Sequence, residues 1–160
     1  MTYKEFLETK IELATESGFV VDPEKVNKVL KPHQRDAVVW ALKGGRRALF
    51  ESFGLGKTVQ EIEFCHLAAE HSCGRALIVL PLGVKQEFTH DAVEVLGYEK
   101  PEYCRTMEEV EKSTSQIVLT NYERVRDGDI RPDYFAATAL DEASVLRSFG
   151  SKPYHTFLDK

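Results

Sequence analysis

Gly54-Leu55-Gly56-Lys57-Thr58 is the stretch on which the reading of this chain turns. Before it, Arg47 to Phe50 forms a short run with strand character. After it, Lys57 to about His71 carries a helical pattern, so the glycines fall at a strand-to-helix turn. Glycine at such a turn lets backbone N–H groups face an anion with no Cβ in the way, and the helix starting near Gly56 offers its positive end to the same anion. Lys57 then supplies a mobile cation for outer phosphates, and Thr58 a hydroxyl for Mg²⁺. The general phosphate-loop pattern has a further glycine five residues before Gly56, where this chain has Glu51.

Working outward, apolar β-prone runs alternate with helical stretches. Ala76 to Leu80, Ile117 to Thr120 and Phe135 to Leu140 read as strands, and Pro32 to Gly44-Gly45 and Val84 to Leu96 as helices. Alternation of this kind implies βαβ units and a mainly parallel central sheet between helices, the three-layer α/β architecture of phosphate-loop proteins. Ala76 to Leu80 and Phe135 to Leu140 are apolar almost throughout, the pattern of central strands covered on both faces. An amphipathic helix is expected from Tyr3 to about Glu16, within a helical extension over 1–29, and the nucleotide domain over 30–160.

The strand ending at Leu140 runs into Asp141-Glu142-Ala143-Ser144, at the carboxyl edge of a parallel sheet, where ligands bind. There Asp141 suits Mg²⁺ held through water, and Glu142 suits the orientation of a water that attacks a phosphate.

A chain of 160 residues with 42% hydrophobic content is enough for one core, so a single domain is expected. The net charge of −5 excludes a protein that grips nucleic acid mainly through a basic surface, and any such contact has to be local. Cys65, Cys73 and Cys104 show no paired spacing, so neither a disulfide framework nor a zinc knuckle is indicated, and His66 and His71 beside them fall on several helix faces. With reduced thiols, no apolar membrane span and no leader-like start, the expected location is cytoplasmic.

Taken together, these segments resemble the first RecA-like lobe of superfamily two helicases of the DEAD/DEAH kind, in particular the Swi/Snf-like DNA translocase branch. The match runs from about Leu30 to Leu158. Gly54 to Thr58 with Gln60 resembles motif I, and Asp141 to Ser144 resembles motif II. Glu51 suits the branch, which often has Asp there, while Phe50, Ser52 and Phe53 differ from its Ala, Glu and Met.

Leu30-Lys31-Pro32-His33-Gln34 resembles the upstream glutamine motif, which makes Gln34 the adenine reader. Leu80 to Phe88 resembles motif Ia and Leu119 to Arg124 motif Ib, and Leu146-Arg147-Ser148 resembles the segment after motif II. By this resemblance Lys85, Thr120, Arg124 and Arg147 are the candidates for nucleic-acid contacts. It implies ATP and Mg²⁺ as cofactors, with Gln34, Gly54, Leu55, Gly56, Lys57, Thr58 and Gln60 at the nucleotide, Thr58 and Asp141 at the metal, and Lys57, Asp141 and Glu142 in catalysis. It also implies duplex DNA as the track and a second lobe, with motif III and an arginine finger, in a longer parent. Two other expectations share these features: a small phosphate-loop phosphotransferase, and a non-catalytic interaction module with the same fold.

Overall fold

The structure, a computed structural model, describes residues 15–51 and 54–146. Helix α1 spans Pro32–Gly44 and starts on a proline whose fixed φ suits a first turn. Gln34 Oε1 accepts a hydrogen bond from Lys31 N–H at 2.8 Å across that turn. The far end of α1 is closed by the chain that precedes it. The N–H groups of Ser17, Gly18 and Phe19 donate to the carbonyls of Gly44, Lys43 and Leu42 at 3.1, 3.2 and 2.9 Å, satisfying oxygens that a helix end leaves without partners. A Cβ on Gly18 would stand 1.7 Å from the Leu42 carbonyl oxygen, so this approach requires glycine.

Helix α2 spans Lys57–Ser72. Next come strand β1, Ala76–Val79, and helix α3, Lys85–His90, which runs on through a π-helical turn over Asp91–Val95. Strand β2, Glu102–Tyr103, helix α4, Met107–Lys112, and strand β3, Ile117–Thr120, follow. Helix α5, Tyr122–Arg126, and strand β4, Ala137–Leu140, complete the regular elements that frame the sheet.

The four-stranded sheet has the order β2-β3-β1-β4, and every pairing is parallel. Side chains of β1 alternate between two cores, as pleating requires. Ala76 and Ile78 join Leu42 of α1, Ile62 and Cys65 of α2 and Phe88 of α3 on one face. Leu77 and Val79 join Val110 of α4 and Val125 of α5 on the other. The result is the expected three-layer α/β fold.

Three expectations need correction. Arg47 to Phe50 forms no strand. Its first residue folds back instead, with the Arg47 guanidinium 5.2 Å from the Trp40 ring centroid and Nη1 bonded to the Arg46 carbonyl, and Phe50 at its end is exposed. The strand expected over Phe135 to Leu140 is shorter and half-buried, because β4 is the outer strand of the sheet among the described residues rather than a central one. Thr15 and Glu16 are not helical, and the remainder of the helix expected from Tyr3 lies outside the described residues.

The described part of the expected extension packs into the main core. Val21 and Val26 are buried in the same cluster as α1 and α2. The fully buried Glu63 accepts from Asn27 N–H at 2.8 Å and Tyr98 Oη–H at 2.5 Å, tying the extension to α2 and to the loop after α3.

Replacing Gly18 by Ala therefore forces the chain away from the end of α1. The expected outcome is a loss of about 1–3 kcal/mol, the usual cost of overpacking, read from the urea unfolding midpoint at unchanged slope.

Candidate functional site

Parallel strands bring their carboxyl ends to one edge, and the chemistry-bearing turns collect there. Asp141 N–H donates to the Val79 carbonyl at 2.9 Å, continuing the β1–β4 ladder by one residue, and Tyr122 Oη–H donates to the Asp141 carbonyl at 2.6 Å. The backbone of Asp141 is thus held from both sides. Glu142 next to it has φ +51, a left-handed conformation uncommon for a residue with a side chain, which turns the chain sharply at the sheet edge.

The glycine loop meets α2 at Gly56, whose φ of +74 and position against Gln34 exclude a side chain. A Cβ there would stand 2.3 Å from Gln34 Nε2. Two buried glutamines hold this loop. Gln34 Nε2 donates to the Leu55 carbonyl at 2.8 Å, while Gln60 Nε2 lies 3.2 Å from the same oxygen and 3.3 Å from the Gly56 carbonyl. Gln60 Nε2 also donates to Glu51 Oε2 at 2.8 Å, so the residue standing where a glycine is usual ties the loop's entry to α2.

Thr58 Oγ1 donates to Glu87 Oε1 of α3 at 3.3 Å. Burial raises the pKa of Asp141 above its ordinary value, Glu142 raises it further and Lys57 opposes this, so the lysine of the loop and the acidic turn belong to one electrostatic neighbourhood. Sequence reasoning missed Glu61, one turn along α2 from Lys57 and Thr58. The residue is half-buried, yet its Oε1 is sealed from solvent without a hydrogen-bond partner. Burial, then Asp141, push its pKa from 4.5 to about 8 against the opposing pull of Lys57. Tyr122 was likewise missed. Its own pKa is raised by burial and then by Glu61, Asp141 and Glu142, which sets all four at one place.

The donor set fits a nucleotide and a hydrated Mg²⁺. Gly54 and Gly56 both hold positive φ, a threonine hydroxyl follows them and acidic groups share the neighbourhood, while among the described residues no three His, Cys, Asp or Glu side chains form a ready-made metal cage. Mg²⁺ keeps most of its waters and leans on phosphates, so a partial protein donor set is what it takes.

Other expected residues are distributed differently. Lys85 Nζ sits 4.9 Å from the Tyr103 ring centroid, and Arg124 Nη1 pairs with Asp129 Oδ2 at 2.9 Å. Thr120 is wholly buried and its hydroxyl donates to the Cys104 carbonyl at 2.9 Å, so a phosphate contact through this side chain is corrected to an internal tie between β3 and the end of β2. Arg147 lies outside the described residues. Two cavities of about 660 and 690 Å³ contain no residue of the glycine loop or the acidic turn.

Among solved structures, the chain superposes on the UvsW helicase from bacteriophage T4 with a TM-score of 0.64 and 18% identity, over 99% of this chain and 56% of that one. A second structure of T4 UvsW gives a TM-score of 0.60 at 19% identity, over 89% of this chain and 29% of that one. The Sulfolobus solfataricus SWI2/SNF2 ATPase core in complex with dsDNA gives 0.67 at 17% identity, over 86% and 31%. The fold is that of a RecA-like lobe. This RecA-like lobe spans about half of the first of those structures and less than a third of the other two. No protein-family model and no curated protein matches the sequence.

Within the RecA-like lobe, no described helix is long and apolar enough to cross a membrane. Because the folded-state pKa of Glu61 lies above its ordinary value, its stabilising proton is lost as pH rises through about 8. Glu61→Gln, which has no proton to lose there, is expected to gain melting temperature relative to wild type as pH rises from about 5 to about 8.5. A difference that stays constant across that range in thermal unfolding contradicts the assignment.

Proposed function

We propose that this lobe binds Mg-ATP on the Gly54–Thr58 loop and serves as the N-terminal motor lobe of an ATP-dependent DNA helicase or translocase. In the full-length protein, ATP hydrolysis would then be coupled to movement on DNA. The observation that carries the reading is the glutamine-clamped glycine loop, whose Lys57 acts electrostatically on Asp141 at the carboxyl end of a parallel sheet.

The roles follow from the chemistry of each group. Lys57 neutralises the outer phosphates, and loop N–H groups at the start of α2 take the remaining oxygens. Thr58, whose hydroxyl here donates to Glu87, would offer that hydroxyl to Mg²⁺, and Asp141 would help to hold the hydrated ion. Bound Mg²⁺ supplies charge neutralisation across the phosphates. Glu142 orients and polarises the attacking water. Gln34 reads adenine with the amide capacity left after its bonds to Lys31 and Leu55, so base recognition and loop position share one side chain.

Hydrolysis at a useful rate requires further charge stabilisation of the kind an arginine finger contributes, worth roughly 10³ or more, and we assign this to a second lobe. Lys85, Arg124 and Arg147 are the proposed DNA contacts. The overall charge of −5 leaves such contacts local, helped by loop N–H groups. A duplex track is supported by the dsDNA bound to the SWI2/SNF2 core of the same fold.

Calorimetric titration with Mg-ATP tests the pocket. Wild type is expected to bind, and Lys57→Ala to bind at least roughly tenfold more weakly, the size of one lost charge-assisted hydrogen bond. Equal affinities would remove Lys57 from the site and the reading with it.

A further inference from the structure

Glu61, half-buried with one carboxyl oxygen sealed from solvent, has no role in the proposed reaction and no visible reason to be where it is. It occupies the third position after Thr58 on α2, so the two lie on one helix face within a single turn. Its Oε1 is shielded from solvent and meets no donor among the described residues. A buried acceptor left in this state costs on the order of 1–3 kcal/mol, which core packing alone does not recover. An Ile or Leu in its place would fill the space without that penalty.

Glu61 shares an electrostatic neighbourhood with residues of the candidate site. Asp141, just after β4, and Lys57 of its own helix are the charged groups that act on it, and it acts in turn on Tyr122 of α5 and on Cys65 one turn further along α2. Asp141 and Lys57 are the two sides of the proposed phosphate-and-cation site. Glu61 shares that neighbourhood, one helical turn from Lys57 and Thr58.

The geometry points to Glu61 as a positioning residue of this site, its buried Oε1 accepting a hydrogen bond from the water shell of the divalent cation that accompanies the nucleotide. The assignment rests on the Mg-ATP reading above. A hydrated Mg²⁺ presents water protons in several directions, and Asp141 and the Thr58 hydroxyl account for only part of them. The Glu61 oxygen is kept dry until the ligand brings a donor, so the bond forms only in the loaded site. A hydrogen bond of this kind orients the water ligands without touching the phosphates, which makes its effect specific to the cation.

The test uses the whole chain, a fluorescent non-hydrolysable ATP analogue and Mg²⁺ as the titrant. Two quantities are read separately: affinity for the analogue without Mg²⁺, and the Mg²⁺ concentration that half-saturates the complex. Glu61→Leu is expected to raise the second roughly tenfold and Glu61→Gln, which keeps a neutral acceptor, roughly threefold, with Mg²⁺-free affinity held within about twofold. A purely structural Glu61 would change both quantities together or neither. Circular dichroism reports whether each variant folds, and if the leucine variant does not, the isosteric glutamine variant decides alone. Wild-type Mg²⁺ dependence in the folded variants overturns the assignment while leaving nucleotide binding intact, whereas a wild type without affinity for the analogue overturns both.

Discussion

All four strands run the same way, and this constraint governs everything else in the lobe. Parallel strands must be joined by connections that return to the starting edge, so each strand ends on the same side and each following turn opens there. The ladder fixes heights as well as directions. Val79 of β1 pairs with Leu140 of β4, and one further hydrogen bond, from Asp141 N–H to the Val79 carbonyl, sets the acidic turn at the rim. Tyr122, leaving β3 at the same rim, binds the carbonyl of the same residue. A carboxylate on a free loop would wander by several ångströms. Asp141 has little such freedom, because its backbone is part of the sheet.

The glycine loop has no strand to hold it in the described structure, and side chains do that work instead. Gln34 from α1 and Gln60 from α2 converge on the Leu55 carbonyl, and Gln60 also reaches Glu51. Both glutamines are buried, so these bonds form away from competing water and are correspondingly strong. The clamp extends the site's dependence outward. The first turn of α1 positions Gln34, while the far end of α1 is closed by Ser17, Gly18 and Phe19. Glu63 draws Asn27 and Tyr98 onto α2 from the other side. Segments remote from any phosphate thus bear on the loop through one helix pair.

Much of this was legible in the sequence, for reasons that differ from residue to residue. The β1 and β3 runs were readable because apolar stretches of that length between helical patterns have few other uses, and the acidic turn because charge right after such a run must sit at a rim. Helix α1 announced both its ends, with Pro32 and Gly44-Gly45. Other features depended on three-dimensional register that no local pattern encodes. Glu61 looked like one more polar position on a helix, and only the fold seals its Oε1 from solvent without a donor. Thr120 ends a strand, where a hydroxyl reads as exposed, yet β2 passes close enough for the Cys104 carbonyl to take it inside. Strand β2 itself, two residues long, is too short to leave a periodic signal. Arg47 to Phe50 has strand composition but spends its first residue on Trp40. Tyr122 was visible as part of a motif and invisible as the anchor of Asp141.

The central claim is that nucleotide phosphates lie on the Gly54–Thr58 loop opposite Asp141. A crystal structure of the lobe grown with Mg²⁺ and a non-hydrolysable ATP analogue tests it most directly. The account predicts phosphate density against the N–H groups of that loop, with Lys57 on the outer oxygens and a hydrated cation between Thr58 and Asp141. Nucleotide bound instead in the cavity lined by Phe19, Asp22 and Cys73, with the glycine loop free of phosphate, would contradict it.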